Sequence, residues 1–270
     1  MFRSCNFPKI DPVNTPHPLR HVLAAVLVLL ALAVSTARLQ AQGAPPMLTD
    51  DPDTPGNHHW EINIFGTFEH SPSSQTSEAP TFDFNYGLGD RLQLTYEISY
   101  LEKRDNGEPS QSGLSDSTVG VKYRFYDAGE DGTKISAYPQ VNFENPGSST
   151  VAKGLEDKGT SLILPMELET TLGPVILTTE AGHVVHTADK DSWFWGLNFG
   201  HEFTKKLNIG FEAYTIFNER FSRSELIGDV GGHYDIDEHN TFFILVGKDL
   251  HNQIDERVHF IGIVGWQFNL

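Results

Sequence analysis

Residues Arg257 to Leu270, RVHFIGIVGWQFNL, carry an apolar residue or glycine at every second position. Leu270, Phe268, Trp266, Val264, Gly262, Phe260 and Val258 form one row. Asn269, Gln267, Gly265, Ile263, Ile261 and His259 form the other, which turns polar towards the chain end. Period-two alternation marks a strand with two unlike faces. Aromatics on one face and amides on the other suggest the closing strand of an outer-membrane β-barrel. On this stretch alone an edge strand of a soluble β-sandwich competes.

The rest of the chain decides between them. From Trp60 onward it breaks into twelve short alternating runs divided by turn residues, the signature of an all-β closed or sandwiched fold. The third run is the clearest: Leu92, Leu94, Tyr96, Ile98 and Tyr100 alternate with Gln93, Thr95, Glu97 and Ser99. The eleventh, Thr241 to Asp249, is apolar on both faces, and the sequence does not orient it. Twelve is even, as bacterial single-chain barrels require. The connections also sort by length. Glu69–Pro80, Glu102–Asp116 and Asn145–Thr160 are expected to be long, whereas Gly87–Arg91 and Leu172–Pro174 are tight turns. A barrel with short periplasmic turns and long outer loops explains that alternation, and a sandwich does not. The expected fold is therefore all-β, a transmembrane antiparallel up-and-down β-barrel of about twelve strands over residues 60–270.

The amino end reads as an export signal. Arg3, Lys9 and Arg20 precede the apolar stretch Val22–Val34, whose thirteen residues would cover roughly 20 Å as a helix, short of the ~30 Å hydrocarbon core. Small residues follow, with Ala37 or Ala41 as cleavage points, so residues 1–41 are expected to be a cleaved signal peptide. The twenty residues ahead of its apolar core are unusually many, and a start further in would shorten them. Residues 42–59 have no periodicity and four prolines, and are expected to be an extended periplasmic leader. Removing residues 1–41 leaves a product more acidic than the −17 of the whole chain and takes away the only cysteine, Cys5. Disulfides and thiolate sites are thereby excluded. The acidic balance argues against nucleic acid or an anionic membrane surface as partner.

On the assigned faces, the lumen gathers carboxylates. Glu61, Glu97, Glu144, Glu167, Glu169, Glu212 and Asp229 are lumen-lining candidates, as are Asp83, Glu180, Glu202 and Asp235. Lys122 and Arg124 oppose them from one face of one strand, with His233 and His259 as further basic groups. An acid-lined pore concentrates cations, so the chain reads as a channel for small cationic or neutral solutes. The competing reading has these carboxylates pairing with Lys122, Arg124 and polar neighbours to fill a narrow lumen, since twelve strands lie between filled and open barrels. Trp60, Tyr86, Phe125, Trp193, Trp195, Trp266 and Phe268 fall near strand ends on the outward face, the expected interfacial girdle.

No cofactor, metal site or catalytic site is expected. His183 and His186 are three apart, so a strand turns them to opposite faces, and His58 and His59 lie in the leader. A barrel phospholipase needs Ser, His and an orienting Asn at the outer rim; Ser192 near His186 is a candidate, without a nucleophile motif. A structural or adhesive barrel working through its loops is a third class, although those loops are poor in aromatic anchors. The expected partners are outer-membrane lipid and lipopolysaccharide, the barrel-assembly machinery and a small-molecule solute.

Four stretches carry a resemblance. LTDDPDTPGNHHWEINI, GLGDRLQLTYE, GLSDSTVGVKYRF and YPQVNFENPG resemble the family of outer-membrane transporters associated with the meta-pathway of phenol degradation. The likeness covers most of residues 42–270. It implies a channel-like outer-membrane protein akin to barrels that pass aromatic or other hydrophobic compounds, and supplies no set of binding residues. The terminal Leu270 departs from the aromatic on which such barrels usually end.

Overall fold

A computed structural model describes residues 46–129, 132–254 and 256–270. The expected signal peptide, 1–41, lies outside these residues. Thirteen strands run in sequence: β1 (Trp60–His70), β2 (Ser74–Gly87), β3 (Leu92–Asp105), β4 (Gln111–Asp127), β5 (Lys134–Ala137), β6 (Gln140–Phe143), β7 (Ser161–Leu172), β8 (Val175–His186), β9 (Ser192–Thr204), β10 (Leu207–Asn218), β11 (Ser224–Asp235), β12 (Asn240–Asn252) and β13 (Phe260–Asn269). Strands β5 and β6 occupy one position between β4 and β7, interrupted at Tyr138–Pro139. Pro139 has no N–H to offer a ladder. The described residues therefore build a closed antiparallel barrel of twelve staves.

Closure comes from the stretch with the strictest alternation. Strand β13 pairs with β1 in an unbroken register from Glu61↔Asn269 to His70↔Phe260. Trp60 and Leu270 exchange both backbone hydrogen bonds, each 2.8 Å. The eleventh predicted run is now oriented. Phe243 and Leu245 point inward and are buried, while Phe242, Ile244 and Val246 face outward and are exposed.

The wall has one end of short turns and one of longer loops. The 144–160 loop is long, as expected, but β1 and β2 are joined by 71–73 alone and β3 and β4 by 106–110. The stretches Glu69–Pro80 and Glu102–Asp116 are largely strand rather than loop. Backbone pairing continues there past the point where the side chains stop alternating in hydrophobicity.

Outward residues are apolar along most of the wall, among them Leu94, Val119, Val121, Leu164, Phe211 and Ile244, all exposed. Inward residues differ by sector. Around β12, β13 and β1, Phe65, Phe243, Leu245, Ile261 and Ile263 pack as an apolar patch, the two phenylalanine rings 6.1 Å apart. Elsewhere the inward row is mostly polar, with Leu101, Ile163, Phe194, Tyr214, Ile216 and Ile227 as buried apolar members.

Candidate functional site: an occluded lumen

Residues 46–53 of the expected periplasmic leader do not lie ahead of the barrel. They are inside it. Met47, Leu48, Thr49 and Asp50 are each under a tenth exposed. Residues 54–59 run along the short-turn end, where Thr54 Oγ1 donates to the Asp90 carbonyl and His58 N to that of Gly87.

The inserted segment has no helix or strand to satisfy its backbone; Asp51 N and Asp53 N turn to the segment's own Asp50 and Asp51, and three more N–H groups go to carboxylates of the wall. Leu48 N donates to Glu212 Oε2 (2.8 Å), Thr49 N to Glu212 Oε1 (2.6 Å) and Asp50 N to Glu180 Oε2 (3.2 Å). The Thr49 hydroxyl donates to Glu212 as well. Buried polar groups without partners are costly, so this pairing is what allows the segment to sit there. Three inward glycines make the room. A Cβ on Gly196 would stand 3.0 Å from Thr49 Cβ, one on Gly210 3.2 Å from Met47 Cε and one on Gly231 2.9 Å from Met47 Sδ.

Lys122 is the positive centre of this level. Its Nζ donates to Asp50 Oδ1 (2.9 Å) and to the Asp51 carbonyl (2.5 Å), and lies 3.5 Å from Glu167 Oε2. Its ammonium also stands over the Tyr138 ring, 4.8 Å from the centroid. Tyr138 passes inward at the β5–β6 interruption and donates to Thr95 Oγ1 (2.7 Å). Gly120 gives it space, since a Cβ there would meet its ring at 2.7 Å. Nearer the short-turn end, Arg124 and Lys134 clamp Asp53 at 2.6 and 2.8 Å. The two basic residues read as facing lumen acids thus hold the inserted segment too.

The other side of the lumen is bridged by side chains alone. Asn63 and Asn85 donate to Asp83 Oδ2 at 2.9 and 2.8 Å, Gln93 and Thr95 donate to Asn85 Oδ1, and Tyr138 continues the chain. Two spaces flank this closed level and share no lining residue. A vestibule of about 850 Å³ opens at the short-turn end, lined in part by Met47, Glu61, Glu169, Glu202 and His233. A chamber of about 120 Å³ lies under the 144–160 loop, with Asp116, Glu156, Asp157 and Asp189 around it and Phe194, Tyr214 and Ile216 beneath.

This arrangement was compared with known proteins. No family model matches the chain, and no curated protein sequence does. Solved structures do. The COG4313 outer membrane channel from Pseudomonas putida F1 superposes with a TM-score of 0.65 at 13% identity, covering 82% of this chain and 98% of that one. NanC porin gives 0.55 at 10%, covering 77% and 100%, and KdgM porin 0.51 at 12%, covering 77% and 98%. The likeness is one of fold.

The remaining candidates are placed as follows. Glu167, Glu180, Glu212 and Asp229 are buried at the occluded level, where Glu212 and Asp229 face each other in register. Glu97 is half-buried opposite Asp83. Glu144 stands apart, exposed at the start of the 144–160 loop, where it accepts the Gly159 N–H at 2.7 Å. Trp60, Phe125, Trp193 and Trp195 are exposed on the outer wall, with Tyr86, Trp266 and Phe268 half-buried beside them. Trp60 packs on Tyr86 at 4.8 Å and Trp266 on Phe268 at 6.4 Å, all near the short-turn end, whereas Trp193 and Trp195 open β9 at the opposite end. His183 stacks on Trp193, while His186 turns to the chamber and meets Ser161 Oγ through Nδ1 at 2.8 Å. Asp191 takes the His186 main-chain N–H. Asp50 and Tyr138 are the site residues that sequence reasoning missed. Tyr138 keeps the inward phase of Ser136 and Gln140, so its position was available from parity, whereas nothing in the leader's sequence marks Asp50 as buried.

Proposed function

We propose that the chain is an outer-membrane channel for small solutes, closed in its resting state by residues 46–53 and opened when that segment withdraws. The observation that carries this reading is the seat of the segment. It is held by hydrogen bonds and one buried ion pair, in a groove shaped by glycines, with open space on both sides. A permanent filling of the lumen has no need of a separate chain segment, because inward side chains of the wall fill small barrels unaided. The outward rows of exposed apolar residues fit a lipid-facing wall, and the aromatics at both ends fit its interfaces. The short-turn end, where both strand termini meet, then faces the periplasm. Three structural neighbours named as channels or porins support the same reading.

The four resembling stretches support kinship with the transporters associated with the phenol meta-pathway, a family akin to barrels that pass aromatic or other hydrophobic compounds. No catalytic role is assigned. The test is conductance of the refolded chain in a planar bilayer, wild type beside Lys122→Met. Sparse or small steps from the wild type and frequent larger ones from the variant support the gated channel. Silence from both, with folding verified, rejects it.

A further inference from the structure

The carboxylates that seat the segment outnumber the positive charges beside them. Glu167 and Glu180 face each other in register on β7 and β8 and are 0% and 1% exposed. Like charges directly opposite on neighbouring strands repel. Ser136 donates to Glu167, and Asp50 N donates to Glu180, yet Glu167 Oε1 and Glu180 Oε1 each lack a hydrogen-bond partner. Lys122 reaches Glu167 and Asp50, but among the described residues no cationic side chain pairs with Glu180 or Glu212. What these two acids do receive is hydrogen bonds, from three main-chain N–H groups and one hydroxyl of residues 48–50.

We propose that Glu167, Glu180 and Glu212 form a binding site for a small organic cation bearing N–H donors, an amine or a guanidine, which takes over the hydrogen bonds of residues 48–50 as the segment leaves. The inference rests on the reading of that segment as a removable occlusion. When it withdraws, Glu212 loses the donors to both its oxygens and Glu180 loses its one. The opened lumen offers those carboxylates water in place of the lost donors, and a solute with N–H donors and a positive charge offers charge-assisted bonds that water does not. A guanidinium presents a fork of donors matched to a carboxylate, and an ammonium presents three. The groove vacated beside Gly196, Gly210 and Gly231 is edged by Asn198, Tyr214 and Leu245. The chamber at the long-loop end carries Asp116, Glu156, Asp157 and Asp189 against Lys158, an acidic excess that raises the local concentration of cations.

The test reads departure of the segment directly. In the full chain carrying Cys5→Ser and Leu48→Cys, a position 3% exposed and off the vestibule lining, the new thiol is buried unless the segment leaves, and its labelling by a water-soluble maleimide is timed. Methylguanidinium is compared with tetramethylammonium, which has the same charge and no N–H, at equal ionic strength. The expected result is slow labelling that methylguanidinium accelerates severalfold and tetramethylammonium does not, with the acceleration lost on adding Glu180→Gln. Equal rates in the two cations, with the thiol protected in both, overturn the cation site and leave the occluded channel standing. Labelling at the rate of a free thiol without either cation overturns the occlusion itself and the cation site with it. The comparison of the two cations is made on one protein, so it does not depend on how the Glu180 variant folds.

Discussion

Lys122 Nζ stands 2.9 Å from Asp50 Oδ1, and both side chains are almost wholly buried. The lysine belongs to the barrel wall and the aspartate to the segment inside it, so this buried pair, together with the more exposed pairs of Arg124 and Lys134 to Asp53, joins the two parts whose separation opens the lumen. Breaking such a pair from one side strands the other charge and costs on the order of 3–5 kcal/mol. Lys122→Met is therefore expected to unseat the segment by strong destabilisation of Asp50 and Glu167. Bilayer recordings should show the variant open for most of the time.

Glu212→Gln tests the backbone anchors. The carboxylate accepts two amides and a hydroxyl, whereas the amide side chain keeps one acceptor oxygen and turns donors towards donors. Hydrogen bonds to a charged group contribute about 1.5–3 kcal/mol each. Loss of one raises the withdrawn population by about tenfold or more. Open probability in the same recordings is the measurement, with heat-modifiable mobility on a gel to confirm an intact barrel.

Gly196→Ala tests the fit of the groove. The added Cβ would lie 3.0 Å from Thr49 Cβ and 3.0 Å from the Tyr214 ring, closer than atoms sit in real contacts. The segment is the softer of the two neighbours, having no ladder of its own. The variant should assemble as a barrel and conduct without a gating step, and a variant that gates as the wild type does would show that Thr49 does not rest there.

Ile244→Arg tests the membrane. Ile244 lies near the middle of β12 and faces outward, 48% exposed. At the bilayer midplane an arginine costs about 2–4 kcal/mol, whereas on a water-facing wall it would fall within about 0.5 kcal/mol. Folding titrations in lipid vesicles are expected to show the larger figure.

Much of this architecture was legible because a two-faced wall writes its geometry into alternate residues. The outward rows, the closing strand and the inward set Lys122, Glu167, Glu212 and Asp229 all followed from parity. Parity failed where its cause was absent. At Ser74–Pro80 and Glu102–Asp105 the strands pair as before, but the outward side chains are no longer uniformly apolar, so the sequence read as loop. In β12 both faces are apolar because Phe243 and Leu245 pack beside Phe65, Ile261 and Ile263 on the inner face of the β12–β13–β1 seam, which β1 joins only when the barrel closes. The inserted segment was invisible for a related reason. Its place is fixed by Gly196, Gly210 and Gly231 and by carboxylates more than a hundred positions away, and its own residues carry only the marks of an irregular linker.

The gate itself can be tied shut. A Cβ added at 196 would stand 3.0 Å from Thr49 Cβ, so although that Cβ alone pushes the segment off its seat, a disulfide between positions 49 and 196 holds it inside the lumen after only a small shift. In Cys5→Ser, Thr49→Cys, Gly196→Cys protein, single-channel conductance in a planar bilayer should be silent when oxidised and show discrete steps after reduction. Equal conductance in the two states, with the disulfide verified, would contradict the account, because ions would then be passing a lumen from which residues 46–53 had not moved.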